Sequence, residues 1–133
     1  MSAVKWNPQQ QSAIDCENPE LLISAAAGSG KTAVLVERIL RKIVENPEIT
    51  IDNFFVVTFT HAAAGELKER LYKKMTEVCT QQPELESRLR PQIAMLSKAA
   101  IGTMHSFCLR LLQEHHAHPA VMLPVNIHLL SQA

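Results

Sequence analysis

Apolar residues in this chain form short continuous runs that are separated by longer segments in which they recur at helical spacing. Three runs predict strands, because each is brief, rich in apolar residues and bounded by polar or small ones. They cover residues 21–25, 54–59 and 99–103. The run at 54–59 does not alternate with polar residues, which is typical of a strand covered on both faces.

The segments between these runs predict helices. Apolar positions spaced three and four apart give each helix one apolar face, and proline marks several of the ends. Four predicted helices cover 9–16, 62–79, about 84–97 and about 105–117. A fifth begins after the glycine-bearing loop of residues 26–30 and ends at Asn46-Pro47. The charges of these helices are predicted to lie on solvated faces balanced by glutamates; they are Arg38, Arg41, Lys42, Lys68, Lys73 and Lys74. Alternation at Val125, Ile127 and Leu129 favours a further strand in the tail, residues 121–133.

Strands and helices follow one another in strict alternation. This order predicts an α/β fold in which parallel strands are joined by right-handed helical crossovers.

The composition excludes several classes of protein. With 13 basic and 13 acidic residues among 133, the chain lacks the excess positive charge that coats nucleic acid or an anionic membrane. No apolar stretch is long enough to span a bilayer, and the first residues contain no secretory apolar region. Three cysteines without CxxC spacing favour reduced thiols, so we expect a folded cytoplasmic protein.

The loop from Ala25 to Thr32 predicts a nucleoside triphosphate site. Gly28 and Gly30 allow backbone N–H groups to turn onto phosphate oxygens at the start of a helix. Lys31 supplies a cation for the β- and γ-phosphates, and the Thr32 hydroxyl is suited to Mg²⁺. The match to the phosphate-binding loop is complete except for its first glycine, which is Ala25 here.

The residues that would complete ATP hydrolysis are not evident. Such sites require a carboxylate at the end of another strand to hold the metal. The two aspartates, Asp15 and Asp52, lie in a predicted helix and before a predicted strand. We therefore expect the chain to be catalytically incomplete and to be part of a larger protein. A self-contained nucleotide-binding or kinase-like module without a DNA role is the alternative, and an inactive remnant that scaffolds a partner is a third.

Three further stretches resemble one family. Residues 6–14 (WNPQQQSAI) resemble the Q motif, residues 57–71 motif Ia and residues 101–108 motif Ic of the UvrD/Rep-like superfamily 1 helicases. The order and spacing of these motifs around the loop agree with that family, in which alanine is common at the position of Ala25. Within it, AAAGSGKTAVLVERI and the HSFC run are most similar to AddA-type subunits of the AddAB helicase–nucleases.

The resemblance implies a partial RecA-like P-loop NTPase fold, with residues 1–133 as an N-terminal fragment of the ATP-binding domain. It implies ATP and Mg²⁺ as cofactors and Lys31 and Thr32 as catalytic residues, with Thr32 on the metal. Gln10 is implied to bind the adenine edge, whose donor and acceptor an amide can match. The residues implied to hold the nucleotide are Gln10, Ala27, Gly28, Ser29, Gly30, Lys31 and Thr32.

The resemblance also implies a track for single-stranded DNA, with hydroxyls on phosphates and an aromatic ring on a base. The residues implied to line it are Thr58, Phe59, Thr60, His61, Thr103 and His105. For the Phe59 ring, burial in the core is the alternative. For the full-length parent, the resemblance implies helicase and nuclease activity on duplex ends, an AddB-like partner subunit, and a role in double-strand-break repair and recombination.

Overall fold

The computed structural model describes residues 5–115, in which five helices surround a sheet of two strands. The elements in chain order are α1 (Pro8–Asp15), α2 (Lys31–Glu45), β1 (Phe55–Thr58), α3 (His61–Gln81), α4 (Glu86–Met95), β2 (Ala100–Thr103) and α5 (Met104–His115). Short 3-10 turns at Ile51–Asn53 and Pro83–Leu85 precede β1 and α4. The helix predicted at about 84–97 is therefore shorter, because Pro83 opens a 3-10 turn rather than an α-helix.

The two strands are parallel. Phe55 lies beside Ala100 and Thr58 beside Thr103, so both carboxyl ends meet at one edge of the sheet. Helices α3 and α4 connect the strands, which confirms the parallel arrangement predicted for the runs at 54–59 and 99–103.

The core lies between α2, α3, α4 and one face of the sheet. The predicted apolar face of α3 is confirmed, since Leu67, Leu71 and Met75 are buried. Its opposite face carries ion pairs one helical turn apart, such as Arg70 Nη2 to Glu66 Oε1 at 2.6 Å. Such exposed pairs add only a few tenths of a kcal/mol, so burial of the apolar face dominates the stability of α3.

Polar side chains of α4 tie it to the end of α2. The buried Gln92 accepts a hydrogen bond from the Ile51 N–H at 2.7 Å. Arg88 donates to the carbonyls of Ile43 and Asn46, which α2 leaves without helical partners near its C-terminus. These bonds hold the connection between α2 and β1 against the core.

The strand predicted at residues 21–25 is wrong. This segment has no regular secondary structure, and Leu22 is 83% exposed. A strand is stabilised by ladder hydrogen bonds to a neighbour, and within residues 5–115 β1 pairs only with β2. The described fold is accordingly α/β with a small two-stranded sheet.

The prediction that β1 is covered on both faces is also wrong. Phe54 and Val56 pack on the core, whereas Phe55 and Val57 are 50% and 42% exposed on the other side. The ring centroid of Phe107 in α5 lies 4.1 Å from that of Phe55, so Phe107 covers part of this outer face. The continuous apolar run therefore belongs to a strand that alternates between a buried and a half-open face.

Two predictions lie outside the described residues, namely the strand in 121–133 and the end of the helix at 105–117. Among the helices that the structure describes, none has the length and apolar character needed to cross a bilayer.

Candidate functional site

The loop before α2 turns through two left-handed glycines. Gly28 has φ of +78° and Gly30 has φ of +84°, a region that residues with a Cβ rarely occupy. Between them the Ser29 N–H donates to the Ala26 carbonyl at 3.2 Å and closes the turn. The two glycines singled out in the sequence are thus required by the backbone.

The loop delivers the chain into the N-terminus of α2. Gly30 is the N-cap and provides no side-chain cap, and the first helical bond is from the Val34 N–H to the Gly30 carbonyl. The N–H groups of the first three helical residues are therefore left without partners inside the helix. Unpaired N–H groups and the helix dipole together make this end suited to an anion.

Lys31 and Thr32 present the polar groups at this helix end. The Lys31 ammonium donates to the carbonyls of Ala25 and Ala26, the second at 3.0 Å, so it is folded over the loop itself. Thr32 is exposed at the start of the helix. The donor set is a cation, free backbone N–H groups and one hard hydroxyl oxygen, which fits a magnesium-bound triphosphate.

Gln10 reaches the loop from the first turn of α1. Its backbone N–H donates to Asn7 Oδ1 at 2.8 Å, and its Oε1 accepts from the Asn7 N–H at 3.0 Å, which completes a capping box. Its Nε2 donates to the Ser29 carbonyl at 3.1 Å. A Cβ at Gly30 would lie 2.8 Å from that same nitrogen, so glycine is needed there for the amide to approach.

Two arginines of α2 fasten the other end of α1. Arg38 Nη1 donates to the carbonyls of Ala13 and Ile14 and, at 2.9 Å, to that of Cys16. Arg41 pairs with Asp15 at 2.5 Å. The prediction of a solvated position balanced by glutamates is therefore wrong for Arg38. Arg41 has the predicted glutamate partner, since its Nε lies 3.7 Å from Glu37 Oε1, but it also pairs with Asp15.

Asp15 is also held from within α1. A hydrogen bond from Gln11 at 2.7 Å is the main cause that lowers the pKa of the Asp15 carboxyl, and Arg41 lowers it further. The carboxylate is thus stabilised in its charged form at the junction of the two helices.

The motif Ia and motif Ic residues meet at the carboxyl edge of the sheet. Thr58 and Thr103 are register partners on adjacent strands. The Thr58 hydroxyl donates to the Thr60 carbonyl at 2.9 Å. Thr60 accepts from the Ala63 N–H at 3.1 Å as the N-cap of α3, and the buried Thr103 accepts from the Ser106 N–H at 3.3 Å. All three hydroxyls therefore have a local structural use.

Three other predicted residues of this edge face outward. Phe59 is 98% exposed, so the alternative that its ring belongs to the core is wrong. His61 and His105 are exposed in the first turns of α3 and α5, which both begin at this edge. We call Thr58, Phe59, Thr60, His61 and His105 the strand-end surface; Thr103 is buried and is not part of it.

The described side chains thus form two groups. Hydrogen bonds join Gln10 to the loop, and the register joins Thr58 to Thr103. Among residues 5–115, no side-chain hydrogen bond links the loop to the strand-end surface.

Comparison with known proteins identifies the family. Residues 6–132 match the family model described as the UvrD/REP helicase N-terminal domain. The chain belongs to the UvrD/REP helicase family. The resemblance found in its motifs is thereby confirmed.

Individual relatives of this UvrD/REP-family chain are named as subunits of an ATP-dependent helicase/nuclease. The protein from Alkaliphilus metalliredigens is 51% identical over 110 residues, which is 83% of this chain and 9% of the relative. That from Clostridium novyi is 50% identical over 117 residues, or 86% of this chain and 9% of the relative. That from Listeria welshimeri is 45% identical over 112 residues, or 84% and 9%. The chain thus spans about a tenth of the length of these relatives.

Proposed function

We propose that the chain is the ATP-binding part of a DNA helicase/nuclease subunit of the AddA type. The family and the name shared by its relatives support this assignment. The observation that carries it is the loop of two left-handed glycines, which opens onto a helix N-terminus with Gln10 bonded to its rim. A self-contained kinase-like module is not favoured, because the relatives are named as helicase/nuclease subunits.

The loop holds the triphosphate of ATP with Mg²⁺. Backbone N–H groups from residues 28–32 donate to phosphate oxygens, except that of Ser29, which donates to the Ala26 carbonyl. Lys31 exchanges its two loop carbonyls for the phosphates. Thr32 offers its hydroxyl to the metal. Bound Mg²⁺ would neutralise phosphate charge, while the residues of this chain bind and orient the nucleotide.

Gln10 selects adenine. After its bonds to Asn7 and Ser29, the amide retains one N–H and one oxygen lone pair. Adenine presents an acceptor at N7 beside a donor at N6, whereas guanine presents acceptors at both positions. The free amide groups therefore match ATP, and the oxygen faces an acceptor in GTP.

The strand-end surface binds single-stranded DNA without reading its sequence. The exposed Phe59 ring is available to stack on a base, and any base offers a π-face. The N-termini of α3 and α5 and the two exposed histidines lie at the same edge and favour phosphates. A neutral net charge is compatible with such a local site.

In the wider protein, we place the chain as an N-terminal portion of a RecA-like motor domain. We expect ATP-driven movement along DNA, a nuclease activity, and a partner subunit of AddB type, acting on duplex ends in double-strand-break repair and recombination. Neither strand among residues 5–115 ends in a carboxylate that could hold the metal. The 133-residue chain is therefore expected to bind Mg·ATP without turning it over.

Calorimetric titration of the chain with Mg·ATP tests the nucleotide site. Lys31→Ala removes a charge-assisted contact to phosphate and should weaken binding by at least about tenfold. Lys42→Ala is the matched control, because it removes an exposed lysine of the same helix and should leave affinity unchanged. Equal affinity of the two variants would contradict the proposed site.

Fluorescence anisotropy with labelled oligo-dT tests the DNA site. Phe59→Ala should weaken binding by about 5-fold to 150-fold, since stacking contributes about 1–3 kcal/mol per base. Tyr72→Ala is the control, because Tyr72 is an exposed aromatic residue on the outer side of α3. The DNA assignment fails if both variants bind as the wild type does, or if both lose the same affinity.

A further inference from the structure

The position of Gln10 depends on how α1 is held. This helix has eight residues, Pro8–Asp15, and Ile14 is its one buried residue. Isolated helices of this length are not stable in water, so contacts with the rest of the protein must hold it. A single apolar anchor near one end does not fix the direction of the helix axis.

Arg38 adds polar bonds at the C-terminal end of α1, the end that also carries the buried Ile14 and the ion pair between Asp15 and Arg41. Its guanidinium nitrogen donates to three carbonyls of the last turn and cap, those of Ala13, Ile14 and Cys16. The last carbonyls of a helix have no helical partners, and a cation there also complements the dipole. Within α1 itself, no basic residue occupies the last turn.

The two ends of α1 are therefore attached to two parts of the same structure. Arg38 projects from α2 to the C-terminal end, and Gln10 reaches from the N-terminal end to Ser29 in the loop before α2. The helix is about 12 Å long, so a small tilt at Arg38 displaces the Gln10 amide. The amide lies close to the loop backbone, since its Nε2 donates to the Ser29 carbonyl at 3.1 Å and a Cβ at Gly30 would lie 2.8 Å from it, so a displacement would lengthen this bond.

We infer that Arg38 is a positioning residue that sets nucleotide selectivity: by capping α1 it places the Gln10 amide at the rim of the loop. This inference rests on the proposed ATP site. It assigns to Arg38 a role in choosing the base, separate from the binding of the phosphates. Arg38 makes no bond to the loop itself, so its effect passes through α1 and Gln10.

Calorimetry on the 133-residue chain separates base from phosphate recognition. The probes are Mg·ATP, Mg·GTP and inorganic triphosphate. We expect Arg38→Met to weaken ATP binding by about tenfold, towards the affinity for GTP, and to leave triphosphate affinity unchanged. Arg38→Lys should restore most of the preference, because an ammonium keeps both charge and donors. Lys42→Met, an exposed lysine one turn further along α2, is the control.

A double-mutant cycle tests whether the effect passes through Gln10. In the Gln10→Ala background, Arg38→Met should no longer change the ratio of ATP to GTP affinity. The inference is overturned if Arg38→Met alone leaves the ratio of ATP to GTP affinity unchanged, or if it lowers the affinities for all three ligands equally. It is also overturned if Arg38→Met still changes that ratio in the Gln10→Ala background. If the wild type binds triphosphate but does not prefer ATP, the adenine assignment of the proposed function fails instead.

A measurement without nucleotide distinguishes failure of the positioning role of Arg38 from failure of the proposed ATP site. The side-chain amide signals of Gln10 and the backbone amide of Gly30, observed by NMR, report the contact between α1 and the loop. Arg38→Met should shift these signals, whereas Lys42→Met should not. Unshifted signals would overturn the role of Arg38 even if the chain bound no nucleotide.

Discussion

Replacing Gly30 by alanine disturbs the loop in two ways that can be separated. The first is backbone strain, because Gly30 has φ of +84° and a residue with a Cβ pays roughly 1–2 kcal/mol in the left-handed region. The second is steric, because the new Cβ would lie 2.8 Å from Gln10 Nε2. The amide must move and lose its bond to the Ser29 carbonyl, at about 1 kcal/mol. The expected loss of folding free energy is about 2–3 kcal/mol.

Gly28→Ala is the matched control for this substitution. Gly28 has φ of +78°, but a Cβ there meets nothing within 4 Å. It should therefore cost only the backbone strain, about 1–2 kcal/mol. Urea unfolding followed by circular dichroism gives both values, and the difference of about 1 kcal/mol measures the conflict with Gln10.

Repeating the pair in the Gln10→Ala background isolates that conflict. Without the amide, Gly30→Ala and Gly28→Ala should cost the same within about 0.5 kcal/mol. Equal losses of stability for the two glycine substitutions in the wild-type background would exclude a conflict between Gly30 and Gln10. So would an excess cost at Gly30 that persists in the Gln10→Ala background.

Three further substitutions test other parts of the structure. Leu71→Ala empties a fully buried position of α3 and should lower unfolding free energy by about 2–5 kcal/mol in urea; a loss below 1 kcal/mol would contradict the core. Thr60→Ala removes the N-cap of α3 and should cost about 1 kcal/mol in the same assay, whereas Thr60→Ser should cost little. Gln11 and Arg41 lower the pKa of the Asp15 carboxyl in the folded protein. The ionised carboxylate therefore contributes to folding stability above the unfolded pKa of about 3.9, and this contribution is lost as the pH falls through the folded pKa. The stability difference between wild type and Asp15→Asn should therefore shrink below about pH 4, and a difference constant with pH would contradict this.

Local patterns were sufficient to predict the elements that local forces dominate. The α3 helix follows from apolar residues at helical spacing, and its buried Leu67, Leu71 and Met75 confirm the predicted face. The left-handed conformation of Gly28 and Gly30 depends only on local backbone sterics, so the short loop motif was sufficient to predict it. The parallel pairing of β1 and β2 follows from the order of strands and helices.

Features that depend on distant partners could not be predicted in this way. Residues 21–25 have the composition of a strand, but strand formation requires a neighbour that the described residues do not provide. The role of Arg38 rests on carbonyls 22 to 25 residues away, and nothing in its local sequence distinguishes it from a solvated arginine. The sequence also could not decide whether the Phe59 ring is exposed or buried, because an apolar run such as 54–59 is compatible with a buried strand end.

Residues 28–32 are proposed to bind the phosphates of ATP. An NMR titration of the ¹⁵N-labelled chain with Mg·ATP tests it directly, since each backbone amide of the loop reports separately. We expect the largest shifts on the amides of residues 28–32 and a smaller response at the Gln10 side chain, and we expect Lys31→Ala to reduce them all. Binding that leaves those amides unshifted, or shifts that fall mainly on another surface, would contradict this assignment.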